Sequence, residues 1–363
     1  MSDSLPKFMR FSVVKSSFLC LFERKSTDND FDGEKEPKPW FKIAAALLCF
    51  YLLIVIVLSF LWSSAPRTFT VNEAVERYAP PTQKTVTGIT TTSSLIYVVN
   101  TLFDKPGGYL SNDVLPPGVW LDNIPSFEYG LLIQSRDMAK AMRERFSRSQ
   151  SQSTEDKDLA SFEAQLNFDH KSWLLPATET EYKQGVKFLT RYLNRLADQS
   201  QQNAQFYARA DNLNYWLSTV ETRLGSLSQR LSASVGQKRI NTDLAGDANA
   251  TQATETPNEF AVKTPWSRID NEFYEARGSA WALIHFLKAV EVDFSDILAK
   301  KNAKISMQQI IRELEATQQT IYSPVVLNGS GFGVLTNHSL VMASYISRAN
   351  AAIIDLRELL SQG

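Results

Sequence analysis

Apolar residues are laid down along this chain in three ways, and each predicts a different kind of element. The first is a continuous run. From Ile43 to Leu61, nineteen consecutive residues carry no charge. At the rise of an α-helix that run is roughly 28 Å long, close to the thickness of a bilayer's hydrocarbon. Trp40 and Trp62 bracket it as interfacial aromatic anchors, and Lys42 can extend its amine to the headgroups. The pattern predicts a transmembrane helix over residues 40–62. A cleaved signal peptide fits less well, because about 39 residues precede the run and it exceeds the usual ~7–15 apolar residues. Pro66, after the small residues Ser63-Ser64-Ala65, would hinder a signal peptidase. The segment therefore reads as an uncleaved signal anchor.

The second pattern is a heptad stripe. Leu189, Leu196, Asn203, Ala210, Leu217, Leu224 and Leu231 recur every seven residues. Tyr192, Gln199, Phe206, Leu213, Val220, Leu227 and Ser234 follow three positions behind. Eleven of these 14 positions are apolar, which predicts a coiled-coil-like helix that would run roughly 69 Å if continuous. Gln199 and Asn203 form a polar break in the stripe. An intramolecular bundle is the favoured partner for such a helix; pairing between chains is the other possibility.

The third pattern is ordinary helical periodicity between polar breaks. Ser126 is the expected N-cap of a helix reaching about Gln150, and a second helix is expected from about Thr154 to Phe168. Thr178 or Thr180 should open the heptad helix after Pro176. Ile269, Phe273, Ala276, Ala280, Ile284, Leu287, Val290, Phe294 and Ile297 share one face. The small residues Ala276, Gly278, Ser279 and Ala280 invite a closely crossing helix. Another helix is expected from Ser306 to Ile321, and a last one from Asn337 to Leu360 with Val341, Tyr345, Ala349, Ala352, Leu356 and Leu359 on its apolar face. Phe8 to Phe22 has the pattern of an interfacial amphipathic helix or a loose apolar tail. Thr90 to Phe103 reads as helix or strand. The expected fold class is all-α: one N-terminal transmembrane helix and a large extracytoplasmic helical bundle. Its parts are a cytoplasmic tail (1–39), the signal anchor (40–62), a membrane-proximal Pro/Gly-rich segment (63–125), a helical region (126–236), a polar flexible linker (237–265) and C-terminal helices (266–363).

Composition narrows the class. The 363 residues are 44% hydrophobic and 21% charged with a formal net charge of −1, which excludes a disordered chain and gives no basic excess for nucleic acid. Arg24, Lys25, Lys35, Lys38 and Lys42 precede or open the span, against Arg67 and Arg77 after it. The positive-inside rule then puts the N-terminus in the cytoplasm. The two cysteines are Cys20 and Cys49, so the region beyond Trp62 is free of thiols. That suits an oxidising bacterial periplasm.

Candidate chemistry is sparse. Gly329-Ser330-Gly331-Phe332-Gly333 has no following Gly-Lys-Ser/Thr and no βαβ setting, so a helix-connecting loop is expected there. His170, His285 and His338 have no zinc-ligand spacing, and His285, beside an apolar stripe, is expected to be a hydrogen-bonded structural residue. The acid pairs Glu179/Glu181, Glu272/Glu275 and Asp293/Asp296 read as capping acids or solvated faces. No catalytic residue, metal or cofactor is predicted. The strongest interaction candidate is the turn-rich loop with Tyr109 and Trp120, large amphipathic rings beside Pro and Gly; the competing reading is that these rings plug the bundle. Leu217 and Leu224 of the heptad stripe are the second candidate.

The anchor, the segments Lys105-Pro106-Gly107-Gly108-Tyr109 and Leu115-Pro116-Pro117-Gly118-Val119-Trp120-Leu121-Asp122-Asn123, and the long helices after them together resemble a family of uncharacterised proteobacterial single-pass inner-membrane proteins. The resemblance implies location and architecture and brings no activity or catalytic residue. Two readings follow. One is a non-catalytic scaffold or interaction module of the cell envelope, with the bilayer and a protein partner or second copy as its contacts. The other is a binding module for a lipid or peptidoglycan fragment in a cleft between helices, with Tyr109, Trp120, Trp266 and Trp281 as contacts.

Overall fold

The computed structural model describes residues 39–80, 86–149, 154–198, 200, 203–241, 257–323, 325–331 and 333–362. The amphipathic pattern at Phe8–Phe22 lies outside them. The chain divides into two units, residues 1–52 and 53–363. In the first, the described part is the start of α1 (Pro39–Trp62). This is the one helix among the described residues long and apolar enough to cross a membrane. Its apolar side chains are almost all exposed, as those of a lipid-facing helix would be.

The second unit is helical apart from one pair of short strands. Its elements are α2 (Val71–Tyr78), α3 (Ile89–Asp104), α4 (Asn123–Ala141), α5 (Lys157–Leu166), α6 (Thr178–Ala197), α7 (Ala210–Ser232), β1 (Gln237–Ile240), β2 (Glu259–Val262), α8 (Ile269–Asp293), α9 (Ser295–Lys300), α10 (Lys304–Ala316) and α11 (His338–Ser361). The all-α expectation holds, and the segment around Thr90 is helix rather than strand. The 237–265 segment is not linker throughout: its ends pair as antiparallel strands, with Gln237 opposite Val262. Residues 242–256 between them lie outside the described residues.

The centre of the unit is α8. Every residue from Ala276 to Leu287 is buried, because α3, α4 and α10 cover it from different sides. The small residues predicted to admit a crossing helix do so. A Cβ on Gly278 would sit 2.0 Å from the Phe127 carbonyl oxygen of α4, and one on Gly130 would sit 2.0 Å from that of Glu275. Backbone meets backbone here, and Ser279 Oγ donates to the Gly130 oxygen at 3.1 Å. No side chain larger than hydrogen fits either position.

The heptad stripe is not one helix. It ends at Ala197 and resumes at Ala210, so the helix is interrupted in the stretch that holds Asn203; Gln199 lies outside the described residues. The non-helical stretch still packs on the core through Phe206, which meets Phe146 and Phe294. Arg195 reaches the Asn203 carbonyl, and Tyr192 donates to that of Gln205. The stripe finds its partner within the chain, since α7 lies along α11. Leu217 and Leu224 are fully buried, and Arg357 of α11 donates to Asn214 of α7 at 2.8 Å. The buried face of α11 is rotated from the expected one. Met342, Ile346, Ala349, Ile353, Leu356 and Leu360 face inward, whereas Val341 is half exposed.

Two helix starts also differ from expectation. α4 begins at Asn123, three residues before Ser126, with Pro125 in its first turn, where a missing N–H is no loss. Ser126 bonds its hydroxyl back to the Asp122 oxygen. α3 is capped from far away: Asp293, at the end of α8, accepts from the N–H groups of Gly88 and Thr91 at 2.9 and 2.7 Å and from the Thr91 hydroxyl. This buried carboxylate, pushed up in pKa by burial and drawn back by those donors, is an N-cap rather than a solvated acid.

Candidate functional site

The turn-rich loop after α3 is built around one buried carboxylate. α3 stops at Asp104, where Lys105 turns extended. Gly107 and Gly108 follow at φ +86° and +68°, conformations that side chains with a Cβ resist. Gly107 also lies against the Trp62 ring, which a Cβ would meet at 2.8 Å. This double turn brings the Lys105 amine back onto the Gly108 carbonyl and within 2.6 Å of Glu128 on α4. Both charges are almost fully buried. Glu128 also accepts from the N–H groups of Leu110 and Ser111 at 2.9 and 2.8 Å and from the Ser111 hydroxyl. Burial pushes its carboxyl above the usual range, and Lys105 and these donors oppose the shift.

A second connection, between α5 and α6, is fastened beside this loop. Tyr109 donates to the His170 oxygen at 2.8 Å, and Asn112 donates to the Ser172 oxygen at 2.9 Å and to Glu179 at 2.8 Å. Arg136 of α4 holds the start of the connection through the Leu166 and Phe168 carbonyls. Thr178 closes its end by donating to the Ser172 oxygen.

Two rigid loops therefore lie side by side, and both expose large apolar residues. Val114, Leu115, Val119 and Trp120 come from the first; Trp173, Leu174 and Leu175 come from the second. Trp120 is 58% exposed and Leu175, which adopts a left-handed φ of +57°, is 89% exposed. Exposed leucine and tryptophan on a backbone this well fastened are what an interaction patch offers. A cleft of about 520 Å³ opens beside the patch, lined by Val119 and Leu121 and by the polar residues Asp113, His170, Arg268 and Glu272 among others.

The sequence-predicted residues divide sharply. Trp120 is on the patch. Tyr109 is buried, its hydroxyl spent on His170 and its pKa driven up by burial. It fastens the loop and is not itself a contact surface. Leu217 and Leu224 are covered by α11 and are likewise closed to another chain. Trp266 is exposed, whereas Trp281 is a core residue. Trp40 and Lys42 are exposed and Trp62 is partly covered. Glu272 and Glu275 are not free acids: Arg230 pairs with both, at 2.9 Å to Glu275. Glu179 accepts from Asn112 as described. His285 is buried but accepts and donates nothing. It stacks on Phe69 at 3.7 Å and meets Trp281 edge-on, and burial lowers its pKa to about 3. No group of three or more His, Cys, Asp or Glu placed to hold a metal occurs among the described residues. The Gly329 segment is a loop between α10 and α11.

Sequence reasoning missed Glu128, Arg136 and the second loop. The available signal was Trp173-Leu174-Leu175 before Pro176, three bulky apolar residues in a connection too short to bury them.

A family model for uncharacterised proteins conserved in bacteria (DUF2333) matches residues 34–363, nearly the whole chain, which therefore belongs to that family. No curated protein and no solved structure matches the chain.

Proposed function

We propose, taking membership of that bacterial family as the premise, that the chain is a non-catalytic scaffold of the cell envelope. It is anchored in the inner membrane by α1, with its N-terminus in the cytoplasm and its helical unit in the periplasm. It engages an envelope protein through the patch formed by Val114, Leu115, Val119, Trp120, Trp173, Leu174 and Leu175. The single observation that carries this reading is the contrast between fastening and exposure in the two loops. A buried ion pair and a set of hydrogen bonds hold the backbone, yet seven large apolar side chains stay in solvent. Rigidity of this kind lowers the ordering cost of association. The charge asymmetry across the span and the thiol-free region beyond it support the orientation.

The test is site-specific photocrosslinking in living cells, with the reactive residue at 120, at 173 and, as a control, at exposed Tyr322. The proposal expects one reproducible protein adduct from 120 and 173 that is missing from 322. Adducts to lipid alone, or equal adducts from all three positions, would overturn it.

A further inference from the structure

Arg277 lies on the central helix α8, and only 9% of its surface is exposed. One of its terminal nitrogens donates to the Gln318 carbonyl at 3.0 Å, and the Gln318 amide returns a bond to the Arg277 carbonyl. Its Nε is buried and meets no acceptor. No carboxylate among the described residues pairs with it, in contrast to Arg143, Arg195 and Arg230 of the same unit. A buried cation with no anion beside it is costly, and a protein keeps one where something supplies the opposite charge.

Arg277 lines a partly open cavity of about 270 Å³ between α8, α11 and the segment that follows α10. None of the residues lining this cavity is acidic. They are donors and apolar walls. His338 accepts the Leu327 N–H at its Nδ1, at 3.1 Å, so the neutral ring carries its proton on Nε2, a donor. Thr320 adds a hydroxyl. Phe273, Met342 and Tyr345 supply the walls. The space is at the small end of the range for ligand sites.

We propose that this cavity binds an amphipathic anion, a carboxylate or phosphate carried on an apolar body, with Arg277 as the cationic contact and His338 as a second donor. Arginine's fork of donors matches the paired oxygens of either head group. The proposal is independent of the docking patch, which lies on other elements. The lipid-derived and the soluble sources of such an anion share this chemistry and differ in the length of the apolar body.

The test uses the full chain in nanodiscs of zwitterionic lipid, followed by calorimetric titration and thermal unfolding. Decanoate and decyl phosphate are the amphipathic probes, decanol the neutral control, and inorganic phosphate the probe without an apolar body. At least one decyl anion should bind saturably and raise Tm, and decanol should do neither. Arg277→Gln should weaken that binding at least 30-fold and leave the ligand-free Tm unchanged or higher. Val341→Glu keeps the arginine and places a carboxylate at the cavity's half-exposed edge, and it should also abolish binding. It serves equally if the glutamine variant does not fold. Saturable binding of neither decyl anion, or binding that survives Val341→Glu and Arg277→Gln, would overturn the proposal. Inorganic phosphate binding as tightly as decyl phosphate would overturn the apolar part and point to a soluble source.

Discussion

Glu128 and Arg277 are both charged, both buried and both on helices that cross at the centre of the unit, yet their surroundings are opposite. Glu128 faces Lys105, two backbone N–H groups and a hydroxyl. Arg277 donates to one carbonyl and lines a cavity with no acidic residue in its wall. The first arrangement has no spare valence and can only hold shape: it ties the Lys105–Leu121 loop to α4. The second has no counter-charge among the described residues and adjoins a space where a bound anion could supply one. Burial alone therefore does not tell a structural charge from a binding one; the count of satisfied partners does.

The largest effect should come from breaking the satisfied side. Glu128→Ala leaves Lys105 buried without a counter-charge and frees two N–H groups, so denaturant unfolding should show a loss of about 3–5 kcal/mol. Hydrogen exchange should rise at Leu110 and Ser111 first. A loss below about 1 kcal/mol would mean that the loop is held by packing and that the comparison is wrong on that side. Asp293→Ala, which strips the distant cap from α3, comes next. It should cost about 2 kcal/mol in the same measurement, since three donors lose one acceptor.

His285 tests burial without any partner. Its folded pKa of about 3 lies below its ordinary value of 6.5, so the native state excludes a proton that the unfolded chain takes up. Its contribution is whole above about pH 6.5 and is lost as the pH falls towards 3, by up to about 1.4 kcal/mol per unit within that window. Replacing it with Phe should flatten the decline of Tm between pH 6.5 and 3 relative to the native chain. Parallel curves would show that the ring is solvated. The smallest effect should come from Arg277→Gln without ligand, where stability should change by less than about 1 kcal/mol. A large loss there would make Arg277 a structural residue like Glu128.

Much of the helical layout was legible because apolar spacing reports directly on which face is buried. The crossing at Gly278 was legible too, since a run of small residues in the middle of a helix leaves room for another backbone to approach. Three things were not. The interruption after Ala197 lay inside an intact heptad count, because periodicity registers where side chains would point and not whether the backbone stays helical. Asp293 caps a helix about 200 residues away in sequence, a relation with no local trace. Arg277 carries no local mark of burial, because a charged residue at the edge of the stripe that Phe273, Ala276 and Ala280 define ordinarily faces solvent. Only the covering of α8 on every side makes it buried.

That covering has a further consequence in time. α8 is made late, yet α3 and α4, made early, depend on it for their core. The chain must lengthen by 189 residues between Asp104 and Asp293, which takes roughly 10–40 s at ordinary rates of synthesis. Throughout that interval α3 and α4 lack the central helix they pack on, although α2 and α6 already cover part of α3. A chain that stays partly open so long keeps apolar helix faces uncovered for seconds, which favours aggregation unless something shields them.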